Sequence, residues 1–341
     1  MRKRWYTLAL VALAVVVASI GAAVRGDPAS ATTHATSACL VTDIGGLNDK
    51  SFNHLAYVGL QRAQQAGVKG RVIQSKSSAD YIPNLKACVT SGATITIGVG
   101  FLMTDQMDAV ANAYPDSKFA IVDVDVSSLK HHPKNVQGLL FKEQEAGYLV
   151  GYAAGLWTKL HPIDGQQVVA SVGGIKIPPV DRYIAGYAYG AKKADPGIKV
   201  LNGYSNNFVA QNKCKELALN DIANGSGVVF QVAGQCGLGV LDAAKEKKVF
   251  GIGVDADQGY LGPQVMTSAL KRVDVAVNAA ITAVAKGQLK TGINAIFDAK
   301  KGGVGFGKWS PRVPASIRTA VAAQLKLLSQ GKITGIPQTV K

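Results

Sequence analysis

The stretch TDIGGLNDKSFNHLAYVGL, residues 42–60, joins a strand signal to a helix signal through a polar loop. It sets two glycines, two carboxylates (Asp43 and Asp49) and an aromatic (Phe52) between a short apolar strand signal at 39–42 and a helix signal at 51–66. In the helix, apolar or small residues recur at 52, 55, 56, 59, 60 and 63, the interval of one helical face. Further on, the strand signals VKGRVIQ, ATITIGVG and KFAIVDVDV alternate with helix signals at 81–91 and 104–113. The first half therefore reads β-α-β-α-β-α-β. Strands this apolar, alternating with helices, predict a parallel sheet covered on both faces.

A second series follows the long helix signal FKEQEAGYLVGYAAGLWTKL. It runs QQVVASVGG, helix VDRYIAGYAYGAKK, IKVLNGYS, helix NKCKELALNDIANG, VVFQVAG, helix GLGVLDAAKEK and KVFGIGVDAD. Two similar halves predict two α/β lobes, and a chain of 341 residues exceeds what one core usually organises. The chain then recrosses: VMTSALKR reads as a strand leading to helix VDVAVNAAITAVAKG, and KKGGVGFGKW precedes a last helix at 313–331. We expect lobe 1 to span 39–138 plus 270–290, and lobe 2 to span 139–269 plus 291–341.

Residues 1–31 begin with Arg2, Lys3 and Arg4, continue with an apolar run at 8–20 and end in Ala29-Ser30-Ala31. This is the pattern of a secretory signal peptide. The run is shorter than the ~20 residues of a membrane span, so the mature protein is expected outside the cytoplasm, in a periplasm or on the outer face of the cytoplasmic membrane. Cys39 lies far beyond the apolar run, behind Thr36-Ser37-Ala38, which argues against a lipid anchor there. Loss of the leader removes four basic residues and Asp27 from a formal net charge of +15, leaving +12. Such a surface favours anionic membranes or wall polymers. Its lysines and arginines form no stripe interleaved with aromatics, so no nucleic-acid partner is expected.

Four cysteines in an oxidising compartment imply disulfides. Their spacing fits no zinc pattern, and no cofactor is called for. Of three connectivities, the sequence-local one is expected, Cys39 with Cys88 and Cys214 with Cys236, because it keeps each bridge within one lobe.

In parallel sheets the loops after the strands' carboxyl ends line the ligand crevice. Those loops carry 43–52, Gly100-Phe101 and 123–125 in the first half, and 173–179, 205–208, 234–239 and 255–258 in the second.

The blocks TDIGGLNDKSFN, FKEQEAGYLVGYAAG, VGGIKIPPVDRYIAGYAYG, KCKELA, VAGQCGLGVLDAAKE, GVDADQ and TSALKRVD, in order over about residues 40–330, resemble the basic membrane protein family. Its members are purine nucleoside receptor A-like substrate-binding proteins of ABC importers. The resemblance implies the two-lobed type I periplasmic-binding-protein fold, a nucleoside ligand, an ABC permease as partner, a monomer, and no enzymatic activity. Phe52 and Phe208 would stack on the base, with Ser51 and Asn53 beside Phe52. Asp123 would bond the base edge; Asp255 and Lys271 would hold the ribose hydroxyls. Asp43 and Gly234 complete the expected ligand set. The chain departs from the family pattern where Val209-Ala210 replace two aspartates, and where Gln235-Cys236 replace glycine-threonine.

A base has two apolar faces and a polar edge, so two aromatics with carboxylates or amides at the edge suit it. A ribose diol suits a carboxylate and a lysine. Each residue also has a plainer use. Phe52 shares a face with Leu55, Gly59 and Ala63 and would fit a core; Asp43 and Asp49 would cap the following helix; Asp255 and Asp257 would serve a turn; Lys271 would be an exposed cation. Asp123 and Asp125 face opposite sides if their strand continues, so at most one enters the crevice. The glycines at 234–239 lack the Lys-Ser/Thr ending of a phosphate loop. The alternatives are an exported protein binding another aromatic or sugar-like ligand, an exported hydrolase using Asp123 or Asp255, and a repressor-like regulator. The hydrolase lacks a nucleophile motif. The regulator lacks a helix-turn-helix segment and is at odds with the leader.

Overall fold

The computed structural model describes residues 36–340; the leader expected at 1–31 lies outside the described residues. The described residues form one unit containing both lobes. The first lobe runs β1 (Ser37–Val41), α1 (Phe52–Gln65), β2 (Lys69–Ile73), α2 (Tyr81–Thr90), β3 (Ile95–Val99), α3 (Thr104–Ala113), β4 (Phe119–Val122) and β5 (Val136–Phe141). The chain crosses into α4 (Glu143–Leu160), β6 (Val168–Gly173), α5 (Pro178–Ala194), β7 (Lys199–Tyr204), α6 (Gln211–Ala223), β8 (Ser226–Val232), α7 (Leu238–Glu246), β9 (Phe250–Asp255) and β10 (Val265–Lys271). It returns through α8 (Val273–Ala285) and β11 (Ile293–Phe297), then crosses again to β12 (Val304–Phe306) and α9 (Ala315–Ser329).

Two six-stranded sheets result, ordered β11-β5-β4-β3-β1-β2 and β12-β10-β9-β8-β6-β7. Substituting each strand by its counterpart turns one order into the other, so the halves share a topology. All pairings are parallel except β10 with β12. The central strands β1, β3, β4, β6, β8 and β9 are buried along almost their whole length. That is the burial two helix-covered faces require.

The expected lobe boundaries, 139 and 291, need correction. β5 extends the first sheet to Phe141, and β11 returns residues 293–297 to that sheet rather than to lobe 2. β10, including Lys271, belongs to the second sheet. Neither β5 nor β11 announces itself. β5 runs into α4 after one residue, so its apolar run merges with the helix; β11 is an edge strand with Ile293 and Ile296 exposed.

At the first crossover α4 lies against α5 with backbones nearly touching. A methyl group at Gly151 would meet the Tyr187 carbonyl oxygen at 2.1 Å, and one at Gly190 would meet that of Tyr148 at the same distance. The glycine spacing of the block FKEQEAGYLVGYAAG thus serves close helix packing. Both expected disulfides are present, Cys39–Cys88 between β1 and α2 and Cys214–Cys236 between α6 and the loop before α7. They close 49- and 22-residue separations, worth roughly 3–4 kcal/mol each in the chain-entropy model. Among the described residues no helix is long and apolar enough to cross a membrane.

Candidate functional site

The carboxyl ends of β1, β3, β4, β8, β9 and β10 converge on a cleft between the lobes. Its free volume is small, ≈ 70 Å³, and reaches ≈ 570 Å³ only when the open mouth is counted. Of the nine expected ligand residues, Asp43, Phe52, Asn53, Asp123, Phe208, Gly234, Asp255 and Lys271 line it. Ser51 does not. It is fully buried, and its single hydroxyl proton is shared between Asp255 Oδ2 at 2.9 Å and the Val254 carbonyl at 3.1 Å, joining the two lobes.

The first-lobe wall is built by the turn after β1. Asp43 Oδ1 accepts from the Gly45 amide at 2.9 Å and from Asn53 Nδ2 at 2.7 Å, leaving Oδ2 toward Gly100. Asp49 accepts the amides of Ser51, Asn53 and His54, so it is the cap of α1 as well as a cleft residue. Burial pushes the Asp43 carboxyl up to about 6 despite the Asn53 and Gly45 hydrogen bonds. Gly100 has φ 111°, and a methyl there would press on Asp43 Oδ2 at 3.0 Å and on the Phe52 ring at 3.3 Å. Its bare backbone is what lets Phe52 face the cleft.

β4 ends at Val122 because Asp123 takes the left-handed backbone, φ 70°, a conformation aspartate tolerates better than most residues. Asp123 therefore enters the cleft, whereas Asp125 stays outside, accepting from the Ser127 amide and Asn294 Nδ2 at 2.8 Å each. Asp123 does not offer a free edge. Lys271 Nζ lies 2.6 and 2.7 Å from its two oxygens and 2.9 Å from Glu143 Oε1, and 5.0 Å from the ring centres of both Phe52 and Phe141. Arg182 Nε holds the other oxygen of Glu143 at 2.6 Å. Two cations and two carboxylates thus close on one another in a buried cluster. Burial opposes the charge on Glu143, but Lys271 and Arg182 outweigh it and hold that carboxyl below its ordinary range. Burial likewise opposes the charge on Lys271, and Asp123 and Glu143 raise its affinity for the proton in return. Asp123 is lifted by burial to about 6, with Lys271 pulling the other way, so it is ionised at neutral pH.

The second-lobe wall carries Phe208, whose ring lies over Gly174: a methyl on that glycine would meet it at 2.3 Å. Gly234, with φ 55°, passes behind it. Asp255 ends β9, also left-handed at φ 59°. Its Oδ1 accepts from Tyr183 OH at 3.0 Å and its Oδ2 from Ser51. Burial raises it to about 6, offset by Lys271, Ser51 and Tyr183.

The sequence did not single out Tyr183, Glu143 or Arg182, whose roles depend on partners brought in by the crossovers. The one available signal was their place in two of the quoted blocks. Among the described residues no cluster of His, Cys, Asp and Glu fits a metal ion. Two aromatics from opposite lobes and ionisable edges around one cleft are the arrangement of a solute-binding protein.

The family follows from comparison. Residues 36–336 match the model described as "ABC transporter substrate-binding protein PnrA-like", and the chain belongs to this family of binding proteins rather than enzymes. It is 33% identical to the ABC transporter nucleoside-binding protein BmpA of Lactococcus lactis subsp. cremoris, over 98% of this chain and 99% of that one. It is 34% identical to an uncharacterized lipoprotein of Pyrococcus furiosus, over 90% and 78%. The structure matches an ABC transporter solute-binding protein from Aeropyrum pernix K1 with TM-score 0.79 and 28% identity, over 89% and 94%.

Proposed function

We propose that the chain is an exported binding protein that holds a nucleoside, a purine nucleoside by preference, between Phe52 and Phe208 and delivers it to an ABC permease. The observation that carries this is the meeting of Phe52 and Phe208 from opposite lobes in one cleft edged by Asp43, Asn53 and Asp255. The base lies between the rings; Asp43, held in place by the Asn53 amide, reads its edge, and Asp255 with the Lys271 ammonium takes the ribose hydroxyls. Asp123, with both oxygens on Lys271, positions that ammonium instead of reading the base. The nucleoside named for the Lactococcus relative supports this choice of ligand.

Secretion rests on the leader at 1–31. A lipid anchor at Cys39 does not fit, although the Pyrococcus relative is named a lipoprotein. Cys39 is buried in β1 with its sulfur bonded to Cys88, so no thiol is left there to carry a lipid thioether.

Mass spectrometry of ligand carried through native purification tests the proposal. A nucleoside, recovered intact after incubation, is expected. A sugar or amino acid in its place would refute the ligand; release of free base at enzymatic rates would refute the binding role.

A further inference from the structure

The two disulfides stand in different surroundings. Cys39 and Cys88 lie in the buried cluster of Tyr81, Met103 and Met107 on the outer face of the first sheet. Cys214 and Cys236 lie behind the second wall of the cleft. Cys236 donates its amide to the Phe208 carbonyl at 3.0 Å. Its sulfur, bridged and without a proton, touches the Ala210 carbonyl oxygen at 2.9 Å. Cys214 sits in the first turn of α6, just after the segment that carries Phe208.

That segment, 205–210, has its own short-range order. The Asn207 side chain accepts the amides of Val209 and Ala210 at 2.7 Å each, and Ser205 and Asn206 donate to the Gly173 and Gly174 carbonyls. These bonds fix its two ends. Its middle, Phe208, is held by the Cys236 amide, and Gly234 two residues before Cys236 is itself a cleft residue. The bridge therefore ties together the two second-lobe loops that enter the cleft. It falls at one of the positions, Gln235-Cys236, where the sequence departs from the family block.

We infer that the Cys214–Cys236 disulfide positions Phe208 for ligand, while Cys39–Cys88 serves stability alone. Without the bridge the 205–210 and 234–237 loops separate more easily, and binding must then reorder the Phe208 side chain and its backbone, a cost that appears as lost affinity. The inference rests on the proposed stacking role of Phe208, and its test is chosen to separate the two.

The test compares two double variants, Cys214→Ala/Cys236→Ala and Cys39→Ala/Cys88→Ala, with the intact protein. Melting temperature, calorimetric affinity for guanosine and adenosine, and amide hydrogen exchange without ligand are measured on each. Both variants should melt lower. The first should also bind about tenfold more weakly, with faster exchange at Val209, Ala210 and Cys236. The second should keep its affinity within about twofold and its exchange at those amides. Equal affinity in the two variants, or unchanged exchange around Phe208 in the first, would overturn the inference. If the intact protein binds neither nucleoside, the proposed ligand fails, and the exchange comparison still decides whether the bridge holds Phe208. If the first variant does not fold, the single variant Phe208→Leu with the bridge intact decides by exchange: protection at Val209, Ala210 and Cys236 should persist, and its loss would show that the ring, not the bridge, orders the loops.

Discussion

β4 and β9 hold the same place in their sheets, third from the edge that receives a late strand, and each gives way to an aspartate in left-handed backbone. Each aspartate finds a partner from the other lobe. Asp123 takes the Lys271 ammonium on both oxygens; Asp255 takes the hydroxyl of Ser51, with Tyr183 on its second oxygen. A duplicated topology supplies two equivalent carboxylates, and their partners make them different. The first is locked in a charge-balanced cluster. The second is held by neutral hydroxyls, which a ligand hydroxyl can match or replace.

The comparison breaks most visibly at its charged end. Lys271→Met should leave Asp123 and Glu143 buried beside each other without their shared cation, lowering unfolding free energy by about 3–5 kcal/mol in denaturant titration. Asp255→Asn keeps an acceptor for Ser51 or Tyr183 and should cost only about 0.5–1.5 kcal/mol of stability, its main effect being weaker ligand binding. Similar stability losses in the two variants would mean that the two aspartates are equivalent after all.

The aromatics sharpen the same contrast between walls. Phe208→Ala should weaken nucleoside binding by about 1–3 kcal/mol with a modest loss of melting temperature, because its ring lies over Gly174 and borders the core. Phe52→Ala should weaken binding comparably and destabilise the apo protein more, because that ring borders the core as Phe208 does and also faces the buried Lys271 ammonium. A loss of stability with affinity intact would make Phe52 a core residue only.

What the sequence displayed follows the same division. The strands buried on both faces were legible as apolar runs, and with them the loops that form the cleft, so Asp43, Phe52, Asp123, Phe208 and Asp255 were within reach; Lys271, inside β10, was singled out only by the resemblance of TSALKRVD to a family block. β5, β11 and β12 were not, since a strand fused to a helix signal, a half-exposed edge and a three-residue antiparallel strand carry little periodicity. Without the crossovers that place β10 against β4's loop, nothing marked Lys271 as 1% exposed or paired it with Asp123 and Glu143. Ser51 was grouped with the ligand because it adjoins Phe52, although the helix start turns its hydroxyl to the opposite lobe.

Titration gives a smaller effect with opposite signs for fold and ligand. Burial pushes Asp43 and Asp255 up to about 6 in the folded protein against an ordinary 3.8. The folded state thus holds protons that the unfolded chain has released. The stability they contribute is fully present below about pH 4 and is lost as pH rises through 6. Going from pH 7 to pH 5 should raise apo stability by about 1 kcal/mol for each of these carboxylates. Over the same interval nucleoside affinity should fall, because a protonated carboxyl accepts less well. Thermal scans with and without nucleoside at both pH values check this; parallel changes would contradict it. Smallest of all, Ser51→Ala should remove one cross-lobe hydrogen bond, about 1 kcal/mol, read as a slightly lower apo melting temperature.

The most direct measurement is calorimetric titration of ligand-stripped protein with guanosine, adenosine and inosine, alongside a sugar and an amino acid. The account predicts one nucleoside bound per chain with micromolar or tighter affinity, about −8 kcal/mol or better, weakened in both Phe52→Ala and Phe208→Ala. No heat with any nucleoside, or binding that both alanine variants leave untouched, would contradict it.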